Sequence, residues 1–371
     1  MSHPIVQDDE TAVLVLSLMH TKGVGSARVA SAIQSLEHRG VLAVQALRDG
    51  ELLRDVLTAE QIQALARSTD QARKTVEELS AQGIKFLSCG PRWRESGYPK
   101  RLLEALGKKA PPLLTCLGNT SLLSAPAVGF CGSRKASERG LEVAADCSEQ
   151  LAREGITIVS GYATGVDLAC HTAALRAGGA TAIVLAEGIS HFRIKQSVRD
   201  AWDWDRAVIV SEYVPSITWT VSNAMQRNKT IVGLSDAMIL IEAGETGGSI
   251  AAGRECLAMN HPLFAPVYDG MPPAAIGNRI MLGEGAYPLH RSKATGRANM
   301  VNVLHTVRRV QEGKPVPRAP RPETGFRAPE PSPSPPPVSA VLLDVDAGRP
   351  AGDIEETSPR AGRRRRAKEA S

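Results

Sequence analysis

A chain of 371 residues, 43% of them apolar, is long enough for two or three folded units rather than one small core. The net charge of +5 is modest, and no apolar run approaches the roughly 18 residues of a membrane span, which leaves out membrane-embedded classes. Six scattered cysteines without CxxC or metal-ligand spacing exclude a disulfide scaffold and a zinc module; MSHPIVQDDE is no signal peptide, so a soluble, reduced, cytoplasmic protein is expected, with no metal or cofactor.

Residues 1–82 read as a small helical domain. Ala12–Met19 is apolar, Lys22-Gly23-Val24-Gly25 interrupts it, and Val29, Ala30, Ile33 and Leu36 resume at helical spacing. Helix, GVG, helix is a helix-hairpin-helix pattern, in which the second helix's first amides point at a phosphate; a plain turn between helices is the alternative. Thr58–Arg67 and Asp70–Gln82 read as two further helices. Ile84–Ser88 switches to a strand pattern, and Gly97–Leu102, Pro111–Leu114 and Gly118-Asn119 read as a connector into the core.

From Ala127 to about Leu289 strands and helices alternate. The strand candidates are Val128–Cys131, Ile156–Val159, Ala182–Ala186, Ala207–Val210, Met238–Glu242 and Pro262–Ala265. Their nearly continuous apolar runs suit a parallel sheet covered on both faces, so residues 83–312 are expected to form an α/β, doubly wound, mostly parallel Rossmann-like domain. Met300–Gln311 reads as a last helix. Ten prolines between Pro315 and Pro337 argue against packing beyond it, and 313–371 is expected to be a disordered tail ending in the basic run Arg363–Arg366 and Lys368.

The chemistry concentrates at strand ends. Gly132-Ser133-Arg134 and Ser160-Gly161 with Gly165 are small-residue turns between a strand and a helix, where free amides and the helix dipole favour an anion. Thr164 and Asp167 have capping-box spacing, and His171, one turn on, reads as a histidine paired with Asp167. Arg227, Asn228 and Lys229 precede a buried strand; Arg227 lies close to Ile231, Val232 and Leu234, where an unpaired charge calls for a bound anion. The alternative is a structural pair with Glu212 or Glu242. Gly247, Gly248 and Ser249 form a third phosphate-compatible loop. Five of the fourteen aromatic residues (Phe192, Trp202, Trp204, Tyr213, Trp219) are interleaved with Arg193, Lys195, Arg199 and Arg206, the mixture a single nucleic-acid strand needs, although some of these rings must cover core.

The ordered set GSR (132–134), SGYATGVDLACH (160–171), SEY (211–213), RNK (227–229), EAGETGGSIAAG (242–253) and GNRIMLGEGA (277–286) resembles the DprA/Smf family, over about residues 10–290. The resemblance implies an extended Rossmann fold that binds and protects single-stranded DNA, helps load a RecA-type recombinase, works as a homodimer and catalyses no reaction. It places Gly132, Ser133, Arg134, Gly161, Gly165, Asp167, His171, Arg227, Asn228, Gly248 and Ser249 in the DNA pocket. Lys229 stands where the family usually has arginine, and the Pro-rich tail stands where a winged-helix domain is common. A nucleotide sensor or a nucleoside-monophosphate hydrolase is the alternative. Against hydrolysis, Thr246-Gly247-Gly248-Ser249 is not followed by Gly-Thr, and Arg254 takes the place of the catalytic glutamate.

Overall fold

The computed structural model describes residues 7–89, 96–268, 270–317 and 319. All of the expected tail beyond those last residues, including Arg363–Arg366, lies outside the described residues.

Four helices open the chain: α1 (Gln7–His20), α2 (Ser26–His38), α3 (Ala43–Arg48) and α4 (Ala59–Ala81). Helix α1 is the buried centre, with Ala12 to Leu16 and Leu18 almost wholly enclosed. The GVG turn takes Gly23 to φ +78° and buries Val24, and α2 starts directly after Gly25. Helix α4 is one continuous helix, not the two expected. The polar break at Ser68-Thr69 does not end it, because both hydroxyls bond back to the Leu65 carbonyl, each at 2.9 Å.

A nine-stranded sheet follows, in the order β1-β2-β6-β5-β4-β3-β7-β8-β9. Its strands are β1 (Lys85–Ser88), β2 (Leu113–Gly118), β3 (Ala127–Cys131), β4 (Thr157–Ser160), β5 (Thr181–Val184), β6 (Ala207–Ser211), β7 (Ala237–Leu240), β8 (Leu263–Pro266) and β9 (Tyr287–Leu289). Strands β6 to β9 are parallel; β1 and β2 add an antiparallel edge. The six expected strands form with ends shifted by a residue or two. Two more were not anticipated: Leu113–Gly118, expected as connector, pairs with both β1 and β6, and the short β9 closes the other edge.

Alternate strand residues feed two cores. Val128, Phe130, Ile158, Ile239 and Phe264 pack against α6 (Glu138–Arg153), α7 (Val166–Arg176) and α12 (Val301–Gln311). Cys131, Val159, Val184, Met238 and Leu240 face the other side, with α5 (Lys100–Leu106), α9 (Val221–Gly233), α10 (Gly248–Ala258) and α11 (Ile276–Glu284). The core of the N-terminal helices runs on into Ile183, Leu185 and Ile209 of the sheet, beside Phe192 near the short helix α8 (Gln196–Arg199).

The chain leaves β3 toward β4, β5 and β6, then crosses back to lay β7 on the other side of β3. This reversal opens a crevice at the carboxyl ends of β3 and β7, where open α/β sheets bind ligands.

Candidate nucleic-acid interface

Three loops and one helix build a cleft of about 500 Å³ at that crevice. The β3–α6 loop is fixed from β7. Ser133 N donates to the Glu242 carbonyl at 2.8 Å, and the buried Glu242 carboxylate accepts from Ser137 N and Ser137 Oγ, both at 2.7 Å. Gly132, Ser133, Arg134 and Lys135 line the cleft as a result. Arg134 is exposed, and its guanidinium lies 5.1 Å from the ring centroid of Trp219, itself 43% exposed.

The β4–α7 loop is held by Asp167 rather than by a Thr164 cap. The N-cap of α7 is Gly165, at φ +80°, where a Cβ would stand 2.4 Å from the Ser133 carbonyl oxygen. Asp167 instead accepts from Ser160 Oγ at 2.9 Å and from Ala163 N at 3.3 Å. Nor does His171 pair with Asp167. It is fully buried, with Nε2 2.5 Å from the Gly161 carbonyl and Nδ1 2.6 Å from Thr181 Oγ1. The carbonyl can only accept, so Nε2 carries the proton. Burial pushes the imidazole pKa down to about 4.

Helix α9 brings Arg227 to the cleft floor. Only 7% of the residue is exposed; Nη1 donates to the Val184 carbonyl at 2.9 Å, and the buried Nε has no partner among the described residues. Burial pulls its pKa down, with Asp167 the leading opposing influence. Neither expected acidic partner reaches it. Glu212, its own pKa raised by burial, bonds the Thr230 hydroxyl, while Glu242 holds Ser137. Asn228 lines the cleft. Lys229, on the next position, points elsewhere: its ammonium pairs with Glu255 at 3.7 Å, and it does not line this cleft, where it was expected on a phosphate.

The β7–α10 loop supplies Thr246, Gly248 and Ser249 to the far wall. Its N-cap residue, Gly247, offers no side-chain cap, so the first α10 amides are left for another acceptor. Asn278 anchors this loop, accepting from Ala243 N at 3.1 Å and donating to the Ile241 carbonyl at 2.8 Å. The cleft thus presents Arg134, Lys135 and Arg227 against one carboxylate, Asp167, already engaged with its own loop.

A second cleft of about 250 Å³ adjoins the first, sharing Arg134, Ala163, Trp219 and Arg227 and adding Lys195 and Glu187. Lys195 is bound to the Tyr162 carbonyl and lies 4.4 Å from that ring's centroid. Arg193 lines neither cleft; it donates to the carbonyls of Ser190 and Phe192. Gly161 underlies Arg227. Phe192, Trp202 and Trp204 pack on one another, and Phe192 packs on Tyr162; Trp219 stands at both clefts, Tyr162 at the smaller one. A broader depression of about 680 Å³ lies at the strands' amino ends, beside Trp202 and Trp204. Its Arg206 is paired with Asp203 at 2.7 Å, and Asp200, Asp203 and Asp205 line it against Arg176 and Arg206, so it is less suited to an anion. Among the described residues no group of His, Cys, Asp or Glu could hold a metal, and no helix is long and apolar enough to cross a membrane.

Sequence reasoning passed over Lys135 and Glu187. Neither belongs to a spaced motif, and the one signal was position just beyond a strand's carboxyl end.

The model of the family described as DNA recombination-mediator protein A matches residues 92–299, the span that carries every loop above. The DNA processing protein DprA of Bacillus subtilis is 29% identical over 242 residues, covering 62% of this chain and 78% of that protein. Its Streptococcus pneumoniae counterpart is 33% identical over 193 residues, 51% of this chain and 66% of that one. The X-ray structure of the Streptococcus pneumoniae protein superposes with a TM-score of 0.60 at 25% identity, covering 76% of this chain and 94% of that one. With more than half of its length matched by the family model, the chain belongs to the DNA recombination-mediator protein A family.

Proposed function

We propose that the cleft between β3 and β7 holds the phosphates of single-stranded DNA, and that the protein shields such strands and passes them to a RecA-type recombinase, acting as a cytoplasmic homodimer and without catalysing a reaction. The observation that carries the reading is Arg227, a guanidinium nine-tenths buried, with no ion-paired carboxylate and no Nε partner among the described residues, in the floor of a cleft walled by two more cations and an uncapped helix start. A buried charge without a counter-ion is costly, and an anionic ligand supplies one. The cleft is fed by loops and carries no helix or ribbon shaped for a duplex groove, which favours a single strand read mainly through its backbone. The names of the relatives, as DNA processing proteins, agree with a DNA ligand.

Gly132, Ser133, Arg134, Asn228, Gly248 and Ser249 are the proposed phosphate contacts around Arg227. Gly161, Gly165, Asp167 and His171 support them from behind. Hydrolysis of a nucleoside monophosphate is disfavoured by Arg254, which is paired with Glu284 at 2.9 Å on the surface where that chemistry would need a carboxylate. The test is equilibrium binding to a single strand and to a blunt duplex of the same length, over a range of salt, with recombinase filament formation as the second readout. Preference for the single strand is expected; equal affinity for both overturns the reading.

A further inference from the structure

The smaller cleft holds a group that phosphate binding does not use. Glu187 lies just past β5, and its main chain is fixed where Ser211 Oγ donates to the Glu187 carbonyl at 2.6 Å. Glu187 lines the cleft, and its carboxylate makes no hydrogen bond or ion pair with any described residue. Three cations line the cleft with it: Arg134 and Arg227, which the larger cleft shares, and Lys195, which is committed to the Tyr162 carbonyl. With the two shared arginines taken up by a phosphate in the larger cleft, the carboxylate left here favours an occupant that brings hydrogen-bond donors. Part of the lining suits a flat apolar body. Leu185 and Ala186 are buried beneath it, and the Trp219 ring stands at its edge with Arg134 over one face.

A body flat and apolar in its faces, with donors along one edge, is a nucleobase. Because Arg134, Trp219 and Arg227 belong to both clefts, a strand with a phosphate in the larger one carries a base into reach of the smaller. We propose that the smaller cleft is a base subsite in which Glu187 selects guanine. This rests on the single-strand reading above and deepens it. Guanine presents N1–H and the 2-amino group side by side, which meet the two carboxylate oxygens as a bidentate pair. Adenine and cytosine each offer one amino donor next to a ring nitrogen that repels the second oxygen. Thymine offers one N–H between two carbonyls.

The test uses the full chain and fluorescence anisotropy with an oligothymidylate of fixed length, in which one internal base is replaced in turn by guanine, adenine, cytosine or hypoxanthine. The guanine oligomer should bind about tenfold more tightly than the parent, the scale of one bidentate base contact. Hypoxanthine, which lacks the 2-amino group, should lose most of that gain. Glu187→Gln should bring the guanine oligomer back to the affinity of the parent. Equal binding of all five oligomers by the unaltered protein, or a guanine preference that survives Glu187→Gln, overturns the guanine subsite and leaves the phosphate cleft standing. Failure of every oligomer to bind overturns the single-strand reading itself, and the subsite with it.

Discussion

The Arg227 guanidinium occupies the space that a side chain at position 161 would need. A Cβ built on Gly161 would stand 2.0 Å from Arg227 Nη1 and 2.5 Å from Asp167 Oδ2. Both are side-chain ends that can swing away, so Gly161→Ala should fold at a cost of about 1–3 kcal/mol. The displaced guanidinium no longer meets a phosphate from the cleft floor. Affinity for a single strand should therefore fall about tenfold, the scale of one lost hydrogen bond to a charged group. Thermal unfolding and oligonucleotide titration on the one variant check both halves; unchanged affinity would separate Arg227 from the ligand.

His171 makes the stability of this loop sensitive to acid. Its imidazole titrates near 6.5 in the unfolded chain and near 4 when folded, because burial penalises the charged ring. Above pH 6.5 both states are neutral and stability is complete. Between pH 6.5 and about 4 only the unfolded chain takes up the proton, so stability declines as pH falls, by about 3 kcal/mol in all. His261, also held near 4 by burial, adds to the same window. Proton NMR of the His171 ring should show a neutral imidazole at pH 5.5. A midpoint near 6.5 would be inconsistent with the enclosed ring.

Lys229 separates sequence position from spatial role. It follows Arg227 and Asn228 directly in the chain, yet a helix turns about 100° per residue, and two steps carry Lys229 round to Glu255 on α10. The pair is partly exposed, so Lys229→Ala should change stability by at most about 1 kcal/mol. Single-strand affinity and its salt dependence should stay within error of the unaltered protein. A slope flattened as much as for loss of a true phosphate contact would return Lys229 to the site.

The α/β alternation was readable because parallel strands buried on both faces leave long apolar runs, and six of the nine strands show them. Leu113–Gly118 has such a run but follows two prolines, and its antiparallel partners lie far away in sequence, so nothing local marks it as a strand. The loops Gly132–Arg134 and Gly248-Ser249 were legible for a physical reason: small residues before a helix leave amides free. The hydrogen bonds that hold those loops were not. Asp167 and Thr164 have the spacing of a capping box, yet the cap falls on Gly165, because its left-handed backbone brings α7 against the Ser133 carbonyl. Whether Arg227 pairs with Glu212 or Glu242 depends on where Thr230 and Ser137 lie, and that is a tertiary fact.

Arg227 and Glu242 are both buried charges at the carboxyl end of the sheet, and their variants should fail in opposite ways. Glu242 is satisfied: Ser137 N and Oγ bond its carboxylate and fix the start of α6. Glu242→Ala leaves the Ser137 amide without its acceptor and opens a void, and should cost about 2–4 kcal/mol of stability. Arg227 has a bond to the Val184 carbonyl, and no carboxylate among the described residues lies at ion-pair distance from it. Arg227→Met keeps the packed stem and removes a charge whose burial Asp167 offsets only in part, so stability should change by about 1 kcal/mol at most. Binding should separate them the other way. Loss of one phosphate contact flattens the dependence of log affinity on log salt by about 0.7, the counterion-release value for single strands. That flattening is expected for Arg227→Met, and equally for Arg134→Ala. Glu242→Ala, assayed below its melting temperature, should keep the full slope. A stable Arg227→Met whose slope matches the unaltered protein would show that its guanidinium never meets a phosphate, and the cleft would lose its central cation.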